Sequence, residues 1–409
     1  MSTITENRCR IQASKQSGAL RSIEDMKEVI HLLVFSLCNG IGTPLVALLR
    51  AVLDFNRHSE FFHILIDHTI VYEISAQSNE LCKQLLIAAR YPNSIQHMRD
   101  MAGFPEYAKH IFQSFYWKTF LSYATVVILT GTPCQSISRA AGMTKRKWFG
   151  LHAQPSNVWH LAHSGIVVVA THIGTDRLLV FAENVIPFNA LDLRHLDLTA
   201  GFRSNLEPMK HDGNTRPRYA WTSVLISGKM QRLEGEQDLF QLPEGWKFNM
   251  QYAFPTLRAI FPWLFWQWSQ DPTDLTDQDR NTVQSCFMLS PEGLRLPSIS
   301  IWIQLMGFSK DLNLAIQSSL PCLHKVQFFN SFFGYTKEAC GLHCYCENWS
   351  IILQALGEGW NLQMSTRFIR HMFQCQYGTK EDSVRRFDYL HSKPAHVCSD
   401  SCPERRAKP

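Results

Sequence analysis

A cysteine sits in Gly131-Thr132-Pro133-Cys134-Gln135-Ser136, directly after the apolar run ATVVILT. If that run is a strand, it delivers a thiol to the carboxyl edge of a parallel sheet, where doubly wound folds bind their ligands. Taken alone, Cys134 is either a nucleophile or an inert core residue, since free cysteines are commonly buried. A second segment, Ser36-Leu37-Cys38-Asn39-Gly40-Ile41-Gly42-Thr43-Pro44, joins a strand to a helix. Its glycines allow a tight turn and close backbone approach to a ligand facing the helix N-terminus. Tyr72-Glu73-Ile74 ends the next strand with an acid, the position that hydrogen-bonds ribose hydroxyls of adenosine-containing cofactors in such folds. Phe181-Ala182-Glu183-Asn184-Val185 ends a further strand, and Asn214-Thr215-Arg216-Pro217-Arg218-Tyr219 places two arginines close together. Read singly, Glu183 is an exposed cap and the arginines a solvated edge.

The elements that position these residues are short apolar runs: EVIHLLVFSL, TIVYEIS, ATVVILTG, GIVVVATHI and RLLVFAENV. Helix-like stretches such as PLVALLRAVLDF and NELCKQLLIAAR lie between them. Continuous Val/Ile/Leu runs alternating with helices predict an α/β fold with a mostly parallel sheet covered on both faces. After Trp221 the alternation stops, and residues 227 to about 297 become aromatic (PWLFWQWSQ) and acidic (DPTDLTDQD). A regular pattern resumes with SISIWIQLMGF and continues into NWSIILQALGEGWNLQMSTRFIRHMF. The expected organisation is a polar lead over 1–24, a cofactor domain over 25–221, a smaller inserted region over 222–297, a part completing the first domain over 298–375, and a charged tail over 376–409.

The composition sets wider limits. The 409 residues suffice for two or three domains, and 45% hydrophobic against 18% charged residues excludes disorder or low complexity for the bulk of the chain. A net charge of +5 permits a polyanionic partner without demanding one. The first residues contain no apolar signal segment. Ile30 to Leu49 carries no formal charge, but polar and Gly/Pro residues crowd its middle, which fits a strand, a turn and a helix start better than a membrane span. The expectation is a soluble chain with no membrane partner. Twelve cysteines without a signal segment indicate reduced thiols. Six of them (Cys340, Cys344, Cys346, Cys375, Cys398, Cys402) crowd the C-terminal fifth, yet lack the two spaced pairs of a structural zinc site, so no metal is expected.

In order and spacing, the Gly turn, strand-end acid, Pro-Cys-Gln, Glu-Asn-Val and Arg-Pro-Arg segments resemble the DNA (cytosine-5)-methyltransferase family. The resemblance continues through Leu305-Met306-Gly307-Phe308 and Leu356-Gly357-Glu358-Gly359-Trp360, covers about residues 29 to 375, and looks closest to the eukaryotic de novo branch. It implies a doubly wound, Rossmann-like, S-adenosylmethionine-dependent domain with a smaller inserted target-recognition domain, and a nuclear location. By the same match Cys38, Asn39, Gly40, Ile41, Gly42, Glu73, Asp100, Pro133 and Trp360 would bind the cofactor. The family's Phe in the Gly turn is Cys38 in this chain, and Glu358 and Gly359 also depart from its pattern, which points to altered cofactor affinity.

The resemblance also assigns chemistry. Cys134 would add to C6 of a cytosine, making C5 nucleophilic toward the methyl group. Glu183 would hold the N3 and N4 edge and protonate N3, Arg218 would contact O2 with help from Arg216, and Asn184 would order the Pro-Cys loop. The target base would be flipped out of duplex DNA. Gln135, Ser138, Arg139, Lys145, Arg146 and Lys147, following or flanking the thiol, would contact the nucleic acid. The region from Trp221 to Ser300 has more acids than bases, unlike a major-groove reader. Its aromatic 261–268 segment therefore suits a core or a protein partner better than base stacking. Two alternatives remain: an RNA (tRNA) cytosine-5 methyltransferase with the same site, and a catalytically weak regulatory paralogue acting as a scaffold for another methyltransferase.

Overall fold

The computed structural model describes residues 27–92, 95–134, 136–138, 150–153, 155–206, 218–226, 244–248, 264–265, 267–268, 271–319, 352–353, 356 and 359–378. At its centre is a seven-stranded sheet in the order β3-β2-β1-β4-β5-β7-β6. The strands are β1 (Glu28–Leu37), β2 (Phe62–Tyr72), β3 (Ile95–Met98), β4 (Thr125–Thr130), β5 (Leu178–Val185), β6 (Phe202–Leu206) and β7 (Arg218–Thr222). β1 pairs in parallel with both β2 and β4, and β4 pairs in parallel with β5. β7 alone is antiparallel, inserted between β5 and β6. The chain leaves β1 toward β2 and later returns to β4 on its other side, so a topological switch point opens at the carboxyl ends of β1 and β4.

The strands are apolar on both faces because helices cover both. Leu32 and Val34 of β1, Val127 and Leu129 of β4, and Leu179 and Phe181 of β5 enter one core. That core is completed by α1 (Thr43–His58), α2 (Ala76–Ala88) and α10 (Leu362–Tyr377). The alternate residues Leu33, Phe35, Val126, Ile128, Leu178 and Val180 enter the other, beneath α3 (Phe104–Gln113), α5 (Val158–Ile173) and α6 (Ala190–Ala200). A short α4 (Phe115–Leu121) precedes β4. α10 is bound to α1 by Arg370, whose Nε meets Asp54 Oδ2 at 2.5 Å, so the C-terminal helix belongs to the first core.

The expected α/β architecture with a mostly parallel sheet between helices is present. EVIHLLVFSL is β1 from end to end, and the uncharged run to Leu49 divides into strand, glycine turn and helix as its polar centre predicted. Among the described residues no helix is long and apolar enough to cross a membrane. GIVVVATHI, read as a strand, instead forms the last half of α5. Its β-branched residues belong to a 16-residue stretch whose buried Trp159, Ala162, His163, Ile166, Val169, Ala170 and Ile173 recur at helical spacing. Length and period override the local β propensity of Ile and Val. The helix α10 also runs to Tyr377, beyond the expected start of the tail, because Tyr377 packs on Phe373 and its hydroxyl meets Thr125 Oγ1 at 3.1 Å.

Between β7 and α10 lies a three-stranded antiparallel sheet of β8 (Lys247–Phe248), β9 (Met288–Ser290) and β10 (Gly293–Arg295). α7 (Asp277–Ser285) precedes β9, and α8 (Ile299–Leu305) and α9 (Lys310–Ser319) follow β10. The described part of the aromatic segment is interior: Phe265 is fully buried and stacks on Trp302, while Trp268 sets its ring edge against Phe287. Phe261, Trp263 and Trp266 lie outside the described residues. Leu264, Phe265, Val283, Cys286 and Met288 share one apolar cluster with α1, α8 and α10.

Candidate active site

The glycine turn is shaped from its own backbone outward. Cys38, Gly40 and Gly42 all have positive φ (54°, 56° and 90°). At Gly42 a side chain would be strained and would also meet Cys82 Sγ, so only glycine serves there. Asn39 is buried under the turn; its Oδ1 accepts from Ser36 Oγ at 2.7 Å, and its Nδ2 donates to Cys82 Sγ at 3.1 Å. Glu73, at the end of β2, locks onto the turn by accepting from Gly40 N (2.7 Å) with one carboxylate oxygen and from Ser75 N (2.9 Å) with the other. The adjacent Ile74 is 82% exposed, an apolar face beside the acid. Burial, reinforced by the Glu73 charge, pushes the Cys38 thiol up to about 12. Burial also raises Cys82 to about 12, against an opposing hydrogen bond from Asn39. Both thiols are therefore protonated and unreactive at neutral pH.

The Pro-Cys segment leaves β4 one strand away. Asn184 Nδ2 donates to the Thr132 carbonyl at 3.1 Å and to Thr132 Oγ1 at 3.2 Å, holding the residue two before Cys134. Cys134 then caps a tight turn, its carbonyl accepting from the Ile137 and Ser138 amides at 3.1 and 3.0 Å. The far side of the turn is stitched to the loop after β5 by a bridge between Ser138 and Pro187 and by Phe188 N donating to the Ile137 carbonyl at 2.9 Å. Cys134 is half-buried, against the core beneath α3, α5 and α6.

Glu183 belongs to the same β5 end but to the opposite face from Asn184. The exposed-cap reading fails there, because Glu183 is 8% exposed and Arg218 Nε lies 3.1 Å from its Oε1. The register explains the pair: Arg218 faces Val185 across the antiparallel ladder, which puts it diagonally beside Glu183 on one face. The solvated-edge reading of Arg218 fails too, since β7 is an interior strand. Cys134, Asn184, Glu183 and Arg218 thus end on the carboxyl edge of β4 and β5 and the facing end of β7, beside the glycine turn of β1.

Trp360 ties the C-terminal part to this edge. A Cβ on Gly131 would overlap the Trp360 indole, and the ring meets Phe181 edge-on with centroids 5.0 Å apart. Trp360 is buried and packs against Gly131 beneath the Pro-Cys turn. Leu305-Met306-Gly307-Phe308 lies beside it in the fold: Leu362 N donates to the Met306 carbonyl at 2.9 Å, and Gly307 takes φ 87° where Gln363 leaves no room for a side chain. Asp100, exposed after β3, caps a 3-10 turn by accepting from Ala102 N at 2.8 Å. Gln135, Arg139, Lys145, Arg146, Lys147, Arg216 and Glu358 lie outside the described residues, as do Cys340, Cys344, Cys346, Cys398 and Cys402. Among the described residues no group of histidines, cysteines or acids has the geometry to hold a metal ion.

Three features of the edge carried no sequence motif. Asp192 of α6 accepts from Leu151 N at 2.9 Å, Ser156 Oγ accepts from Ser136 N at 3.1 Å, and Gly150 N donates to the Ser136 carbonyl at 3.2 Å. Together they fasten the turn at 150–153 to the Cys134 turn. The hydroxyls of Tyr72 and Thr130, at the ends of β2 and β4 on either side of β1, are buried with no hydrogen-bond partner among the described residues. Orphaned polar atoms flanking a switch point are where a polar ligand is expected. No family model matches the chain, and no curated protein matches it.

Proposed function

We propose that the chain is a DNA cytosine-5 methyltransferase that moves a methyl group from S-adenosylmethionine to C5 of a flipped-out cytosine. The observation that carries this reading is the Glu183–Arg218 pair, set at 3.1 Å beside an Asn184-anchored Cys134 turn. A thiol, a carboxylate and a guanidinium meeting one planar base is the set this reaction needs.

The residues at the switch point fit S-adenosylmethionine. Glu73 brings a carboxylate to the end of β2 beside the turn, the Gly40–Gly42 turn and the start of α1 present backbone, Ile74 offers an apolar face, and the Tyr72 and Thr130 hydroxyls find no partner among the described residues. Asp100 stands exposed at the next strand end. When bound, the cofactor supplies a methyl group activated by a positively charged sulfur.

The chain's own residues do the rest. Cys134 adds as thiolate to C6, which makes C5 enamine-like and able to attack the methyl group. Glu183, carrying a proton when the base is bound, holds the N3/N4 edge, donates that proton to N3 as charge develops there and takes it back as the product forms, and Arg218 both steadies Glu183 and reaches O2. Asn184 keeps the turn that carries the thiol. After methylation a base or water removes the C5 proton, the C5–C6 double bond reforms and the Cys134 thiolate leaves. Extruding the base costs about a few kcal/mol, met by contacts to phosphates and the flipped base. Lys145, Arg146 and Lys147, with Arg139, are the residues proposed for the phosphates, and a nuclear location is proposed from the resemblance to the eukaryotic branch.

A duplex carrying 5-fluorocytosine tests the covalent step, because fluorine at C5 blocks the final elimination. Incubated with S-adenosylmethionine, the protein is expected to form a stable adduct that mass spectrometry maps to Cys134. An adduct with fluorinated RNA and none with DNA would move the reading to RNA. No adduct with either, from folded protein, overturns the enzyme reading and favours a scaffold.

A further inference from the structure

Three histidines from separate segments close on one another beneath the Cys134 turn. His152 belongs to the 150–153 turn, His160 to the first turn of α5 and His195 to α6. The rings of His152 and His160 stack at 4.8 Å, and His195 sets its edge to both, at 5.8 and 5.4 Å. His160 Nε2 and His152 Nδ1 share a hydrogen bond of 3.0 Å. His160 Nδ1 and His195 Nε2 are buried and have no hydrogen-bond partner among the described residues.

This arrangement tolerates neutral imidazoles only. The His152–His160 bond needs one nitrogen as donor and the other as acceptor, so protonating both rings turns it into two opposed donors. A charge on any ring faces two neighbours of potential like charge at under 6 Å. Among the described residues, the other titratable groups around the cluster are His163 of α5, buried against Trp159, and Asp192 of α6, whose carboxylate is engaged by Leu151 N. Farther along α6, Asp197 is occupied by Arg203 and by the Trp221 indole, and Arg194 points to solvent.

The 150–153 turn that His152 belongs to is the anchor described above. Gly150 N reaches the Ser136 carbonyl, and Leu151 N reaches Asp192. Whatever pushes His152 away from α5 and α6 therefore loosens the Cys134 turn.

We propose that His152, His160 and His195 form a proton-sensitive clasp that pins the 150–153 turn, and through it the Cys134 turn, to α5 and α6, and that opens on acidification while the central sheet stays folded. Burial and the neighbouring imidazoles hold His160 down to about 4, His163 likewise to about 4, and His195 below its ordinary value. The neutral, closed clasp therefore persists at physiological pH. The clasp does not depend on which reaction the edge performs.

Hydrogen exchange on the full chain reads it directly, with rates corrected for the intrinsic pH dependence of amide chemistry. Between pH 7 and pH 4.5, protection of the Gly150, Leu151 and Ala153 amides is expected to fall at least tenfold relative to β4. In His160→Gln, which keeps a neutral hydrogen-bonding group but cannot titrate, that drop is expected to shrink to under threefold. Equal protection at both pH values in the wild type, or an undiminished drop in the variant, overturns the clasp. Should His160→Gln not fold, an NMR titration of the wild-type imidazole protons decides: a cluster histidine titrating below pH 5.5 supports it, and all three titrating between 6 and 7 overturns it.

Discussion

Arg218 and Glu183 hold one another at 3.1 Å across β7 and β5, with side chains only 15% and 9% exposed, at the edge where Cys134 emerges. A buried pair of this kind is costly to break by halves, because removing one partner leaves the other charged and desolvated. Arg218→Met is therefore expected to lower unfolding stability by about 3 kcal/mol or more. The double variant Arg218→Met/Glu183→Gln should recover most of that loss. Urea unfolding of both checks it, and a single variant as stable as the wild type contradicts the pairing.

Gly131 is a packing residue. Gly131→Ala pushes a methyl into the Trp360 indole, and overpacking of this sort costs about 1–3 kcal/mol. Trp360→Leu in the same chain should relieve part of the strain, so the two effects will not add. A thermal unfolding series of the two single variants and the double is the measurement.

Asn184→Ala removes both donors to Thr132 and leaves a buried carbonyl short of a partner, at about 1–3 kcal/mol. The consequence expected for Cys134 is a changed alkylation rate in a protein whose far-ultraviolet circular dichroism is unchanged. An unchanged rate would mean that Asn184 does not position the turn.

Cys38 and Cys82, both raised to about 12, should resist iodoacetamide at pH 8.5. About 3.5 pH units below those values, roughly one thiol in three thousand is a thiolate. Peptide mass spectrometry after timed labelling should show both unmodified in native protein and both modified after unfolding.

Acid should weaken the fold through α5 and its partners. His160 and His163 are lowered to about 4, so between pH 6.5 and 4 the unfolded chain binds their protons and the native chain does not. Stability then rises with pH across that window, and is lost as pH falls through it. Urea midpoints at pH 7, 6 and 5 should decline, and replacing His163 by a neutral residue of similar volume should flatten the decline.

Much of this was legible because strands buried on both faces write themselves as continuous apolar runs: EVIHLLVFSL is β1 to the residue. The strand-end acid and the Gly turn were legible for the same reason, since a run that ends at Tyr72 puts Glu73 at the carboxyl edge. GIVVVATHI was misleading because its β-branched residues outvote, locally, a period visible only over all of Val158–Ile173. The burial of Glu183 and Arg218 was not legible, because it depends on β7 entering between β5 and β6, a pairing with no local signature. The His152–His160–His195 cluster comes from three separate elements. Its one local hint is His160 and His163, three residues apart on a helix whose inner face is otherwise apolar.

The central claim is tested most directly by transfer of labelled methyl from S-adenosylmethionine to duplex DNA, single-stranded DNA and transfer RNA, with Cys134→Ser beside the wild type. The predicted result is label on duplex DNA cytosine that disappears in Cys134→Ser. Label that persists in Cys134→Ser, or no transfer to any of the three from folded protein at high cofactor concentration, contradicts it.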